Sequence, residues 1–159
     1  DTLQRSVWLD RAVKEAERLH PPLIMLFRAA LKDFEYNGYS IPKGWWTMVS
    51  PAVAHRSPHV FSHPNQYWLE RYEPGREEDR KALYTLIGFG GGKHRCVGMV
   101  FAYQQIKVIW TLLLQRFEFE LLEPAYVPDM STWVVGPKKP ARLRYKRKVA
   151  AQVQVPLTA

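Results

Sequence analysis

Cysteine is almost absent: Cys96 stands alone in the chain. That excludes an intramolecular disulfide and any multi-cysteine zinc ribbon, and it is compatible with a reducing compartment. Long hydrophobic runs are missing too. The longest lies around Val108 to Leu114 and is broken by Thr111, whereas a membrane span needs about 20 apolar residues. The polar start at Asp1 carries no secretory signal pattern; with no initiator Met, it reads as a processed or partial chain. Acidic residues are few, 15 against 23 Lys and Arg, and the net charge of +8 favours an acidic partner. Nucleic acid, an anionic membrane surface or an acidic protein would each qualify.

What is there suits a folded domain. The 159 residues are the length of one domain. Such a chain can bury about 68–70% of the surface its unfolded form exposes. Apolar residues at 47%, charged residues at 24% and an ample supply of Trp, Tyr and Phe argue against disorder.

Leu9, Ala12, Val13 and Ala16 predict a helix over Leu3 to Leu19. His20-Pro21-Pro22 stops it. Leu23 to Arg28 is strand-like, Phe34 to Ile41 is a hairpin around Asn37-Gly38, Pro42-Lys43-Gly44 is a turn, and Trp45 to Val49 is a short strand. Pro51 to Gly92 has little periodicity, and a stretch so long and irregular is uncommon unless it is functional. A second long helix is expected from Val97 to Leu114, and a strand over Phe117 to Leu121. A further hairpin would join Trp133-Val134-Val135 to Ala141–Tyr145 through Gly136-Pro137. Val149 to Ala159 reads as a tail or linker.

The chemistry concentrates in Phe89-Gly90-Gly91-Gly92-Lys93-His94-Arg95-Cys96-Val97-Gly98. This places one cysteine at the mouth of a helix after a glycine loop. The helix dipole and free N–H groups favour a thiolate there. Glycines admit a flat ligand close to the backbone, Arg95 and His94 add positive charge, and Phe89 can wall the loop. Gly91-Gly92-Lys93 lacks the Ser or Thr that a phosphate loop requires; His94 stands there. Cys96, His94 and the series His55, His59 and His63 could be read as a zinc set. Pro58 and Pro64 break any helix through it, so solvated loop histidines are the simpler expectation.

The loop resembles the haem-binding signature of the cytochrome P450 family, a match expected by chance on the order of 10⁻⁵ in such a chain. The resemblance implies that Cys96 is the axial thiolate of haem b (iron protoporphyrin IX), with Phe89, Gly90, His94, Arg95 and Gly98 around the cofactor. Glu15 and Arg18 share a helix face by spacing alone. In the family such a pair joins a distant Arg in a buried triad, here Arg71 in Trp68-Leu69-Glu70-Arg71-Tyr72. Arg28 and His94 correspond to propionate partners, and Leu23, Met25, Trp133 and Val134 to the substrate wall.

Leu19-His20-Pro21-Pro22-Leu23-Ile24, the Phe101–Trp110 stretch and Arg144-Tyr145-Lys146-Arg147 are similar to the sterol 14α-demethylases. Met99 stands where eukaryotic members usually carry Glu, which points to a bacterial-type, soluble, cytoplasmic protein; an anchor in an absent N-terminal part is left open. The resemblance covers residues 1–148 and corresponds to the C-terminal third of a family member. It implies an α+β, mainly helical fold with two long helices and small β-hairpins, and residues 149–159 as tail. The oxygen-activating distal helix lies outside the chain, so no catalytic residue is assigned.

The implied activity is a haem-thiolate monooxygenase that removes the 14α-methyl group of a sterol in three oxidations. Its partners would be the sterol, O2, an acidic redox partner such as a ferredoxin or reductase, and the rest of the polypeptide. Lys93, Arg95 and Lys107 would form the docking face. A different class also meets the charge: a basic module using Arg142, Arg144, Lys146, Arg147 and Lys148, with Lys138 and Lys139, on nucleic acid. A solvated strand edge explains that run as well, and nucleic acid is not the expected partner. A haem sensor or electron carrier is the remaining alternative.

Overall fold

A computed structural model describes residues 6–123 and 126–148. The expected tail, and the start of the first helix at Leu3 to Arg5, lie outside the described residues. Helix α1 (Val7–Leu19) ends where the His20 amide bonds back to the Ala16 carbonyl at 2.8 Å, just before Pro21. Its buried positions are Val13, Glu15, Arg18 and Leu19. Of the apolar stripe in the sequence only Val13 is buried; Leu9, Ala12 and Ala16 line an apolar groove of about 540 Å³ against Ile106, Trp110 and Leu114. The two residues of α1 with no exposed surface, Glu15 and Arg18, are charged.

Strand β1 (Leu26–Ala29) pairs antiparallel with β4 (Trp46–Val49), Leu26 opposite Val49. Between them lies the hairpin of β2 (Phe34–Tyr36) and β3 (Tyr39–Ile41). Asn37 and Gly38 both turn to positive φ, 49° and 80°, as a two-residue hairpin loop requires.

The irregular stretch holds one short helix, α2 (Pro51–Ala54), N-capped by Ser50, and turns of 3-10 helix at Leu69–Tyr72 and Glu78–Arg80. Its carbonyls cannot pair in a ladder. Two arginines collect them instead: Arg18 donates to His55, Pro64 and Gln66, and Arg71 to Ser62, His63 and Gln66. The irregularity is therefore ordered from within, since buried carbonyls need donors.

Helix α3 (Met99–Arg116) leads directly into β5 (Phe117–Leu121). The expected hairpin from Trp133 to Tyr145 does not form. Instead β6 (Pro128–Asp129) pairs with β7 (Gly136–Pro137), and β8 (Leu143–Arg147) pairs with β5. The register explains the choice: Glu118 faces Lys146 and Glu120 faces Arg144, whose ion pair spans 2.9 Å. Opposite charges across a strand pair favour that register. They also occupy part of the basic run, which supports the solvated-edge reading over a phosphate-binding strand.

The apolar core is small: Phe61, Val13, Leu19, Ala30, Tyr72 and Ile87. On α3 only Lys107 is buried, while Val100, Phe101, Ile109, Trp110 and Leu112 are exposed. No helix among the described residues is long and apolar enough to cross a membrane.

Candidate functional site

The cysteine loop is a pair of nested turns. The Gly90 amide bonds to the Ile87 carbonyl at 2.8 Å, and the Cys96 amide to the Phe89 carbonyl at 2.8 Å. One 3-10 turn, Gly92–His94, lies between them. Gly90 has φ +75°, and a Cβ there would approach the His94 carbonyl oxygen at 3.0 Å. Both conformation and space therefore require glycine. Gly91 is wedged against Tyr84, whose ring would lie 2.7 Å from an added Cβ.

Cys96 is a free, exposed thiol three residues before Met99, the first residue of α3. The helix's free amides and dipole favour negative charge at that point. Val97 beside it is fully exposed. Lys93, His94 and Arg95 are exposed on the same loop. Phe89 is half-buried, its ring 5.6 Å from that of Tyr103. A single soft donor, a bare apolar neighbour, a glycine-shaped backbone and nearby cations fit a flat, apolar, anionic group held through a thiolate.

Helix α1 and the irregular stretch share a buried charge cluster. Glu15, Arg18 and Arg71 have no exposed surface, and Glu78 only 1%. Arg18 grips Glu15 with two bonds of 2.8 Å, Arg71 Nε donates to Glu15 at 3.1 Å, and Arg71 Nη1 donates to Glu78 at 2.6 Å. Two guanidiniums meet two carboxylates, so the formal charge cancels. The Tyr72 hydroxyl and Trp68 amide also donate to Glu15, at 2.9 Å each. Burial alone pushes Glu15 up, but these donors outweigh it and hold the carboxyl below its usual value. The fourth member, Glu78, has no signature in the sequence. Its spacing from Arg71, seven residues across a turn, is legible only once the chain is folded.

His55 departs from the expectation of solvated loop histidines. It is completely buried. Its Nε2 accepts the Ile87 amide at 2.9 Å, so Nδ1 carries the proton and donates to the Arg18 carbonyl at 3.2 Å. His55 thereby ties the end of α1 to the cysteine loop. His59 and His63 are exposed, and among the described residues no three His, Cys, Asp or Glu are grouped to hold a metal ion.

Burial holds the His55 imidazole down at about 4, from its ordinary 6.5. The unfolded chain thus takes up the proton first on acidification. The stability this histidine contributes is present above pH 6.5 and is lost as the pH falls towards 4. At about 1.4 kcal/mol per unit the loss is about 3 kcal/mol. Urea unfolding of the full-length protein should show a steeper pH dependence in that window than its His55→Asn variant. Superimposable slopes would contradict this.

The remaining positions are more open. Arg28 is exposed on β1, its guanidinium donating to its neighbour's carbonyl at 2.6 Å. Leu23 and Met25 are exposed at 40% and 38%, with Phe27 continuing the same alternation. Trp133 and Val134 are exposed in the bend between β6 and β7. The Val135 amide bonds to the Pro22 carbonyl at 2.8 Å, which brings this bend beside the Leu23 segment. Gly98 caps α3 at φ −83°, a conformation open to other residues. Lys107 is not on a docking face: it is buried and paired with Asp10 at 2.9 Å. Aliphatic neighbours on α3 gave no sign that this lysine turns inward.

The model of the cytochrome P450 family matches residues 1–145. This chain belongs to the cytochrome P450 family. A sterol 14-demethylase of Arabidopsis thaliana is 49% identical over 93% of the chain and 32% of its own length. A sterol 14alpha-demethylase of Mycolicibacterium vanbaalenii is 48% identical over 89% of the chain and 32% of its own length. Among solved structures, the retinoic-acid-bound cyanobacterial CYP120A1 matches with a TM-score of 0.85 at 28% identity, covering 92% of this chain and 34% of that one. The chain thus spans about a third of the curated relatives it matches. Plant and bacterial relatives are equally near, so Met99 does not assign it to the bacterial branch.

Proposed function

We propose that the protein to which this chain contributes is a haem-thiolate monooxygenase acting as a sterol 14α-demethylase. The chain would supply the proximal side of the site for haem b. The observation that carries the reading is Cys96: a lone exposed thiol at a helix N-terminus, on a loop that only glycines permit. The names of the relatives supply the substrate class.

When bound, haem supplies the activation of O2, and a thiolate ligand favours O–O cleavage. The chain's own residues do the rest. Cys96 presents its sulfur on the loop. Gly90, with no side chain, would let a flat ligand come close to the backbone, and Phe89 would wall the loop. Arg28 and His94 would hold the propionates, since carboxylates leaving water need charged partners. Their test is retention: haem should dissociate at least tenfold faster from the Arg28→Leu, His94→Leu double variant, followed by transfer to apomyoglobin. Unchanged retention would remove both residues from the site.

The exposed apolar faces of α3 and of Leu23, Met25 and Phe27 are where the rest of the polypeptide and the sterol pack. A sterol is rigid and apolar with one hydroxyl, and its pocket needs apolar walls with few polar groups. Leu23, Met25, Trp133 and Val134 meet that requirement. An acidic redox partner such as a ferredoxin or reductase would meet Lys93 and Arg95, without Lys107.

The experiment is a sterol titration of the full-length haem protein, read by the haem spin-state change. Binding of a 14α-methyl sterol is expected. Val134→Phe should weaken it about tenfold while haem content stays constant. No spectral response to any 14α-methyl sterol would overturn the substrate assignment.

A further inference from the structure

The turn that bears the thiolate loop is held from three sides. Ile87 is pinned by His55. Phe89 packs on Tyr103. Gly88, between them, lies directly under the side chain of Glu17: a Cβ on Gly88 would sit 2.5 Å from Glu17 Cγ and 2.6 Å from its Oε1. Glu17 projects from α1 towards α3, where its carboxylate accepts the Tyr103 hydroxyl. One carboxylate therefore links α1, α3 and the turn.

We infer that Glu17, with Tyr103, is a positioning pair for the Cys96 loop. The path is short. Glu17 covers Gly88 and anchors Tyr103, Tyr103 supports the Phe89 ring, and the Phe89 carbonyl receives the Cys96 amide. Burial pushes the Glu17 carboxyl up, against the Tyr103 hydroxyl and the Gly88 amide, which both favour its charged form. Burial and the charge of Glu17 in turn keep the proton on Tyr103, so Tyr103 is the donor. Glu17 stands between Glu15 and Arg18 in sequence yet makes none of their contacts; it serves the loop while they serve the irregular stretch. Gly88 is glycine because Glu17 occupies its Cβ space.

The inference rests on the haem-thiolate reading for its purpose, but its test does not depend on haem. Amide deuterium exchange of segment 86–97 is followed in the full-length protein. Tyr103→Phe removes one hydroxyl and should raise exchange at Gly90 and Cys96 about tenfold, the scale of a lost charge-assisted hydrogen bond. The β2–β3 hairpin should be unaffected. Glu17→Leu should match Tyr103→Phe, and Glu17→Gln, whose amide oxygen still accepts but without the charge, should fall between the parent and Tyr103→Phe. If Glu17→Leu fails to fold, Tyr103→Phe with Glu17→Gln decides the matter. Unchanged exchange at Cys96 in Tyr103→Phe, or an equal rise throughout the chain, would overturn the proposal. In the haem-loaded samples, Tyr103→Phe should also lose its thiolate-type CO band faster than the parent. A parent with no such band at all would count against the haem-thiolate reading and leave the exchange result standing.

Discussion

Arg18→Ala is expected to yield no folded haem protein. Arg18 is fully buried and makes two bonds to Glu15 and three to carbonyls of the irregular stretch. Removing it leaves Glu15 buried with a deficit of positive charge, and it leaves the His55 and Pro64 carbonyls without donors. Breaking a buried ion pair from one side costs about 3–5 kcal/mol. Total stabilities are about 5–15 kcal/mol, so the variant loses a large fraction of its margin. Arg18→Lys should fail nearly as badly, because an ammonium cannot reproduce the planar fork that meets Glu15 and three carbonyls at once. The measurement is soluble yield and haem content of the full-length variants. A variant that expresses, unfolds at the parent's urea midpoint and holds haem like the parent would show that the cluster stabilises nothing.

Cys96→Ala carries the second large effect. The chain has no other cysteine, so no neighbour can take over the sulfur's role. Thiolate ligation should vanish from the optical and electron-spin spectra, while the fold survives. Cys96 is exposed and its amide bonds through the backbone, so its side chain contributes nothing to the core. An unfolding midpoint close to the parent's apoprotein is therefore expected together with a complete loss of the thiolate signature. A thiolate spectrum in the alanine variant would place the ligand elsewhere.

These two effects were not equally visible in the sequence. The cysteine loop announces itself locally, because glycines, cations and a thiol stand within ten residues. The Glu15–Arg18 pair is half visible: the spacing puts both on one face of α1, but an exposed pair would read the same. Arg71 came only from resemblance, and Glu78 from neither source, since the contacts that join them span an irregular stretch with no period. The burial of His55 and Lys107 is hidden from the sequence for a related reason. Burial of a polar side chain depends on partners such as the Ile87 amide and Asp10, which are distant in sequence. The hairpins divide in the same way. Asn37-Gly38 encodes its own turn, whereas β5 and β8 found each other across more than twenty residues through alternating opposite charges, which a local reading of Gly136-Pro137 could not anticipate.

The most direct measurement is the optical difference spectrum of the full-length polypeptide, reduced and exposed to carbon monoxide. A thiolate ligand donates electron density to the iron and shifts the Soret band of the CO complex strongly to the red. That red-shifted band is expected in the parent and is expected to be lost in Cys96→Ala. A CO complex with the unshifted band of a nitrogen-ligated haem, or no haem absorbance, would contradict it.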